Sequence, residues 1–271
     1  MILISCREDF VSDHLFAGEN QVRNYTNLKN VDSFTDLDED NLMAQAAGKH
    51  VLVLVHGFRN PIKNVAASYD AVLTKLIDSG LRQPPHYDLV LGYLWPGFRT
   101  HLGFFPAVPF ANRSAGFFRQ FLARLCRSAL TVDVQTHSLG ARVALQALSA
   151  ATGIFVDNLM LTAPAVDNEC LEPSQEFNSA LDNCRRCLVY HSSKDPVLKI
   201  GFTFASLDRA LGLKGPEHPA IIESDCPSVF VVDCSAVVSS HGGYRKAGAT
   251  FSHWARVLSD EALPRFEKLR A

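Results

Sequence analysis

Apolar and β-branched residues recur along the chain in short runs, and segments with a helical pattern lie between these runs. Continuous apolar runs are typical of strands that are buried on both faces, and the intervening segments are long enough for crossover connections. The pattern therefore predicts an α/β protein with a mainly parallel sheet. The predicted strands are residues 50–57, 88–95, 131–138, 158–165, 187–193 and 229–236.

Two of the connecting segments predict helices directly. NVAASYDAVLTKLIDSG, residues 64–80, has apolar residues at helical spacing and ends at Gly80, a residue that tolerates the left-handed backbone common after helices. ARVALQALSAATG, residues 141–153, predicts the helix that follows the third strand. Helices are therefore expected to alternate with the strands.

The first 47 residues predict additional strands. MILISCRE at residues 1–8 is apolar, but no basic segment precedes it and acidic residues follow at once, so we expect a strand and not a signal peptide. VRNYTNL at residues 22–28 predicts a further antiparallel strand, and DSFTDLDEDN at residues 32–41 predicts an acidic loop. We expect one domain over residues 1–271.

Composition narrows the class of partner. The 26 basic and 28 acidic side chains nearly balance, so the chain has no excess of positive charge that would favour binding to nucleic acid. No apolar run approaches the length of a membrane span. Seven cysteines, an odd number, fit reduced thiols in the cytoplasm better than a disulfide framework. Cys184 and Cys187 form a single C-x-x-C, for which free thiols at the start of a strand are favoured over a zinc site.

A segment rich in phenylalanine and proline, residues 96–125, interrupts the alternation of strands and helices. Its second half predicts a crossover helix. Its first half predicts an irregular, lid-like excursion above the C-terminal edge of the sheet, where open α/β folds bind ligands. We expect Phe104 and Phe105 to line a substrate pocket there, with packing in the core as the alternative.

Ser138 lies between a predicted strand and a predicted helix in TVDVQTHSLGARV. The order of strand, serine, glycine and helix lifts the serine hydroxyl above the sheet, and the amide of Leu139 at the helix start becomes a donor to an oxyanion. Thr136 stands where the nucleophile-elbow pattern has glycine. We therefore expect either a small residue on the neighbouring strand or a relaxed turn, and a simple closing turn without chemistry is the alternative.

A serine nucleophile needs a second oxyanion donor as well as a base. VHGFRN ends the strand that lies one strand-helix-strand step before the elbow, which is where the geometry requires that donor. The amide of Phe58 can supply it. His56 is expected to bond within this loop, and His56 and Gly57 are expected beside the substrate.

The remaining partners of the serine should follow it in the order acid, then histidine. Asp195 follows a predicted strand in YHSSKDPVL, and Asp167 in LTAPAVDNE is the alternative acid. His241 lies in the loop SSHGGY after the last predicted strand, from which it can reach the serine more easily than His253 can from a helix. His191 lies inside a strand and is expected to pack in the core.

The motifs VHGFRN, YLWPG, THSLGARV, TAPAVD, YHSSKDPVL and SSHGGY together resemble the α/β-hydrolase superfamily, from about residue 48 to the end. More narrowly, they are similar to a bacterial group of mostly uncharacterised serine hydrolases. The resemblance implies an α/β-hydrolase fold with about eight mainly parallel strands, helices on both faces and a partial lid. It also implies a triad of Ser138, Asp195 and His241.

These residues predict a serine esterase or lipase-like enzyme that needs neither a metal nor an organic cofactor. The substrate is expected to be a small ester, with an apolar acyl chain near the phenylalanine-rich segment, and Trp95 and His137 complete the expected pocket. The same triad serves a thioesterase, an amidase or an acyltransferase. A binding protein with this fold and no catalysis is the alternative from another class.

Overall fold

The computed structural model of the chain describes residues 1–12, 14, 16–58, 60–97, 106–202 and 209–270. The strands within these residues are β1 (Ile2–Arg7), β2 (Phe16–Tyr25), β3 (Phe34–Leu37), β4 (His50–Val55), β5 (Leu89–Leu94), β6 (Thr131–His137), β7 (Val156–Thr162), β8 (Cys184–His191), β9 (Val229–Asp233) and β10 (Phe266–Lys268). The helices are α1 (Glu39–Ala46), α2 (Ile62–Asp78), α3 (Ala107–Ser128), α4 (Gly140–Ser149), α5 (Leu211–Lys214), α6 (Pro219–Asp225) and α7 (Gly248–Leu258). Short helical turns lie at Asn178–Asn183, Leu198–Phe202 and Gly243–Arg245.

All of these strands belong to one sheet, in the order β10-β9-β8-β7-β6-β4-β5-β1-β2-β3. Every neighbouring pair is parallel except β1 with β2 and β2 with β3. The predicted mainly parallel sheet is confirmed. Within the described residues it has ten strands rather than about eight, because the short strands β3 and β10 extend its two edges.

The connections place helices on both faces of the sheet. The chain runs from β4 through α2 to β5 on one side, and then through α3 to β6 on the other side of β4. Right-handed crossovers in opposite directions put their helices on opposite faces. In agreement, α3 packs against α4, whereas α7 contacts α2. The strand order reverses at the carboxyl ends of β4 and β6, which is where open α/β sheets bind ligands.

The N-terminal region differs from its prediction in one segment. Residues 32–41, expected as an acidic loop, instead contain β3 and the start of α1. The Asp38 carboxylate caps this helix by accepting the Asn41 backbone N–H at 2.7 Å, and β3 pairs with β2. The other N-terminal predictions correspond to β1 and β2, and the predicted helices at 64–80 and 141–153 correspond to α2 and α4.

The phenylalanine-rich segment is described only in part. Its second half is the helix α3, as predicted, whereas residues 98–105, and with them Phe104 and Phe105, lie outside the described residues. Phe110 on α3 stacks on Phe16 of β2, with ring centroids 5.8 Å apart. Within the described part of the chain, no helix has the length and apolarity that a membrane span requires.

All seven cysteines are free thiols. Cys184 and Cys187 lie on β8, and both side chains are buried. Burial raises the pKa of Cys184 to about 12. Among the described residues, no group of His, Cys, Asp and Glu side chains is arranged to hold a metal ion.

Candidate active site

Ser138 stands at a sharp turn between β6 and α4. Its backbone has a φ of 56°, in the left-handed region that a non-glycine residue rarely adopts. The Ser138 N–H donates to the Thr162 carbonyl at 3.0 Å, and the Ser138 carbonyl accepts from Ala141 N–H at 3.0 Å. These bonds fix the turn between the end of β7 and the first turn of α4. The strand-serine-helix geometry is that of a nucleophile elbow.

The close approach that the turn needs comes from two glycines. A Cβ placed on Gly57 would lie 2.8 Å from the Ser138 Cβ and 3.0 Å from the His137 carbonyl oxygen. A Cβ on Gly140 would lie 2.4 Å from the His56 carbonyl oxygen. The loop after β4 and the start of α4 can therefore pass each other only because both positions lack a side chain.

Thr136 fits into this turn without the glycine that the elbow pattern has at its position. It is buried on β6, where its register partners are Val55 of β4 and Leu161 of β7. Neither partner is small, so the small residue expected on the neighbouring strand is not found opposite Thr136. Gly57, two positions beyond Val55, makes its close approach to Ser138 and His137 instead.

His241 and Asp195 are hydrogen-bonded to each other. His241 Nδ1 donates to Asp195 Oδ2 at 2.7 Å, which leaves Nε2 as the proton-accepting nitrogen. The other carboxylate oxygen, Oδ1, accepts the backbone N–H groups of Val197 at 3.0 Å and Leu198 at 3.1 Å. Asp195 is fully buried, so its carboxylate is held by three donors away from solvent.

The loop that carries His241 lies against the residue before Ser138. His137 Nε2 donates to the His241 carbonyl oxygen at 2.8 Å, and the two rings lie 4.6 Å apart between centroids. Burial lowers the pKa of His137 well below its ordinary value, with His241 and Arg245 as further contributors. A neutral His137 thus supports the backbone at His241.

The alternative acid and base occupy other surroundings. The backbone of Asp167 forms an isolated antiparallel β-bridge with the backbone of Ala210, outside the strands of the sheet. His253 on α7 is buried, its Nδ1 is 2.9 Å from the Tyr190 hydroxyl, and burial lowers its pKa to about 4. His191 is buried at the end of β8. The structure brings His241 together with Asp195 rather than with any of these.

His56 and Trp95 are fixed to each other beneath the loop after β4. The Trp95 backbone N–H donates to His56 Nε2 at 3.1 Å, and the indole N–H donates to the His56 carbonyl oxygen at 2.7 Å. Their rings stack with centroids 5.4 Å apart. Both side chains are buried, and His56 also lines a small cavity together with Gly57 and His137. The place of His56 and Trp95 in the substrate pocket stays a prediction.

The peptide between Gly57 and Phe58 is oriented through its carbonyl group. The Gly57 oxygen accepts from His56 Nδ1 at 2.7 Å and from Asn60 Nδ2 at 3.1 Å. Because a trans peptide is planar, its N–H points opposite to its C=O. These two bonds therefore direct the Phe58 N–H away from His56 and Asn60. Leu139, the second predicted donor, immediately precedes α4, whose N-terminus favours negative charge.

Sequence reasoning missed two residues of this site, Asn60 and Arg7. Asn60 lies within the VHGFRN motif, and an asparagine three residues after the HG pair is a signal for side-chain bonding to the turn. Arg7 is a charged residue next to the apolar run of β1 and is fully buried. A buried arginine at a strand end is rare enough to indicate a specific partner.

Comparison with known families gives one match. The sequence matches a family model described as an alpha/beta hydrolase of unknown function, DUF900, over residues 34–242. The comparison with curated proteins found no match.

Several solved structures are similar to this chain at low sequence identity. An uncharacterised protein from Bacillus cereus is 14% identical with a TM-score of 0.50, and the alignment covers 80% of this chain and 61% of that chain. A gene product of Listeria innocua is 11% identical with a TM-score of 0.50, with coverages of 82% and 98%. An esterase from Pyrococcus furiosus is 14% identical with a TM-score of 0.42, with coverages of 88% and 90%.

Proposed function

Because the chain belongs to the DUF900 family of alpha/beta hydrolases, we propose that it cleaves carboxylic esters through an acyl-enzyme on Ser138. The observation that carries the proposal is the strained elbow at Ser138 beside a hydrogen-bonded pair of His241 and Asp195. Left-handed backbone at a non-glycine residue is unfavourable, and such strain is concentrated at functional sites. The substrate is a small molecule, and we infer a cytoplasmic location from the seven free thiols.

The proposed reaction has two halves. Ser138 Oγ attacks the ester carbonyl carbon while His241 Nε2 takes the hydroxyl proton, and the N–H groups of Phe58 and Leu139 bind the oxyanion. The bond to the alcohol then breaks, and the alcohol leaves with the proton from His241. Water attacks the acyl-enzyme by the same route, and Ser138 recovers its proton as the acid is released. Asp195 holds the tautomer of His241 throughout.

A fluorophosphonate probe tests the nucleophile directly. An activated serine displaces fluoride from phosphorus and keeps the phosphonyl group, so we expect a single adduct on Ser138 by intact mass and peptide mapping. The p-nitrophenyl esters of acetate, butyrate, octanoate and laurate then report turnover and acyl-chain preference. A folded sample with neither an adduct nor turnover would identify a binding protein instead of an enzyme.

The same assay distinguishes ester hydrolysis from the thioesterase, amidase and acyltransferase reactions that the same triad can catalyse. Matched thioesters and anilides of the preferred acyl group are compared with the oxygen ester by kcat/KM. An added alcohol acceptor detects acyl transfer as formation of a new ester. We expect the oxygen ester to be preferred and water to be the main acceptor.

Replacing Gly57 by alanine is expected to lower kcat/KM on the order of 100-fold, the scale of a misplacement of about 1 Å at a reacting centre. The added Cβ would stand 2.8 Å from the Ser138 Cβ, so the loop after β4 and the elbow must move apart. Gly116→Ala on α3 is the matched control, because nothing lies within 4 Å of its added Cβ. Steady-state kinetics of both variants measure the effect, and equal kcat/KM values would contradict the proposed close approach.

A further inference from the structure

Arg7 ends β1 and directs its guanidinium to the segments that flank the Gly57–Phe58 loop. The side chain is fully buried. Its Nε donates to the Trp95 carbonyl oxygen at 3.0 Å, and its Nη2 donates to the Asn60 carbonyl oxygen at 2.8 Å. Arg7 precedes residue 34, where the match to the family begins. One buried cation therefore joins the end of β1 to the end of β5 and to the loop after β4.

The guanidinium also contacts the imidazole that orients the loop. Arg7 Nη2 donates to His56 Nε2 at 3.2 Å, and the Trp95 N–H points to the same nitrogen. Because Nε2 accepts from both donors, the imidazole proton resides on Nδ1, which donates to the Gly57 carbonyl. Burial, and next to it the charge of Arg7, lowers the pKa of His56 well below its ordinary value, so the ring stays neutral.

We propose that Arg7 is a positioning residue for the oxyanion donor at Phe58. The guanidinium fixes the tautomer of His56 and the backbone at Asn60, and these two residues hold the Gly57 carbonyl, which sets the direction of the Phe58 N–H. The inference rests on the proposed function. Lysine cannot replace this arrangement, because a single ammonium lacks the planar fork that reaches two backbone carbonyls and an imidazole at once.

The test compares Arg7→Lys with a matched arginine elsewhere in the fold. Arg265 also binds backbone carbonyls, those of Val229 at 2.6 Å, Ile222 at 3.0 Å and Cys226 at 2.6 Å, but it does so around the start of β9. Arg265→Lys therefore removes similar bonds at the opposite ends of the strands. Each kcat is expressed per active site titrated with the fluorophosphonate, so that loss of folded protein does not enter the comparison.

Arg7→Lys is expected to lower kcat by about tenfold or more while KM changes little, since an oxyanion donor acts on the transition state and not on the bound ester. Affinity for a trifluoromethyl ketone, which forms a tetrahedral adduct with the serine, should fall by a similar factor. Arg265→Lys should lower the melting temperature and leave kcat per titrated site unchanged.

The inference is overturned if Arg7→Lys retains the wild-type kcat per titrated site, or if both lysine variants lose it equally. Where Arg7→Lys does not fold, His56→Asn decides. The asparagine amide nitrogen can replace Nδ1 as donor to Gly57, and its oxygen then takes the place of Cδ2, which leaves no acceptor at the Nε2 position that Arg7 and the Trp95 N–H contact. Its kcat should fall with KM unchanged, and a wild-type kcat would overturn the inference. A wild-type protein without adduct or turnover would instead refute the proposed function itself.

Discussion

Ser138→Ala is expected to abolish both ester hydrolysis and fluorophosphonate labelling. The variant lacks the oxygen that forms the acyl-enzyme, so the acyl group has no attachment point and the probe has no nucleophile. Loss of a serine nucleophile lowers kcat by about 10⁴-fold or more, and the residual rate comes from substrate binding and oxyanion stabilisation alone. Intact mass and p-nitrophenyl ester turnover measure the two effects on the same sample.

The fold of Ser138→Ala should survive unchanged. Alanine keeps the Cβ, so the left-handed backbone at φ 56° is as unfavourable in the variant as in the wild type. Ser193→Ala is the matched control, because this exposed hydroxyl bonds to Ser235 Oγ at 3.0 Å near the same edge of the sheet. The Ser193→Ala variant should form the fluorophosphonate adduct and hydrolyse the p-nitrophenyl esters as the wild type does. An adduct on Ser138→Ala at any other residue would show that the nucleophile was assigned incorrectly.

The central strands could be predicted because a parallel strand covered on both faces must be apolar at successive positions. HVLVLV, now β4, is buried at five of its six positions, so its sequence carries the signal without knowledge of its neighbours. The same property predicts the edge of the sheet that holds the proposed active site, because it locates the ends of the strands at which Ser138, Asp195 and His241 lie.

The segment of β3 and α1 lacked that signal. FTDL has no buried position, and its strand exists only because it pairs with β2 at the edge of the sheet. The acidic residues that favoured a loop instead belong to the N-terminus of α1. Asp38 caps the helix there, and the negative charges of Glu39 and Asp40 interact favourably with the positive end of the helix dipole. Acidic residues before an apolar residue therefore indicated a helix start.

The glycine requirement of the elbow shows a second limit of local pattern. The nucleophile-elbow motif places a glycine two residues before the serine, and Thr136 there weakens the match. The close approach at the turn comes from another segment, because a Cβ on Gly57 would lie 2.8 Å from the Ser138 Cβ. That approach depends on the register of β4 with β6, in which Val55 pairs with Thr136. A single stretch of sequence does not contain this register.

Arg7 could not be connected to the site from sequence for the same reason. Its contact with His56 spans 49 positions, and it arises because β1 pairs with β5 and thereby ends beside Trp95. The charge at the end of an apolar strand was visible in MILISCRE, but its partners were not. A side chain that supports a loop from a strand elsewhere in the sheet can be identified only once the strand order is known.

Asp195→Asn is expected to lower kcat/KM by about 10⁴-fold, the scale observed when a catalytic histidine loses the carboxylate that sets its tautomer. The asparagine oxygen can still accept the backbone N–H groups of Val197 and Leu198, which preserves the loop. Its amide nitrogen would then face His241 Nδ1 and donate to it. The imidazole proton moves to Nε2, and the ring can no longer accept the proton of Ser138.

Asp167→Asn is the matched control, because Asp167 is the other aspartate that follows a parallel strand at this edge. The backbone of Asp167 forms a β-bridge with Ala210, whereas the 2.7 Å hydrogen bond of the His241 imidazole is made to the Asp195 carboxylate. We therefore expect Asp167→Asn to retain most of the wild-type kcat/KM, with both variants folded by circular dichroism. If Asp167→Asn proved the more damaging of the two, the acid would be Asp167. The serine mechanism would stand in that case, because Ser138 and His241 would keep their roles.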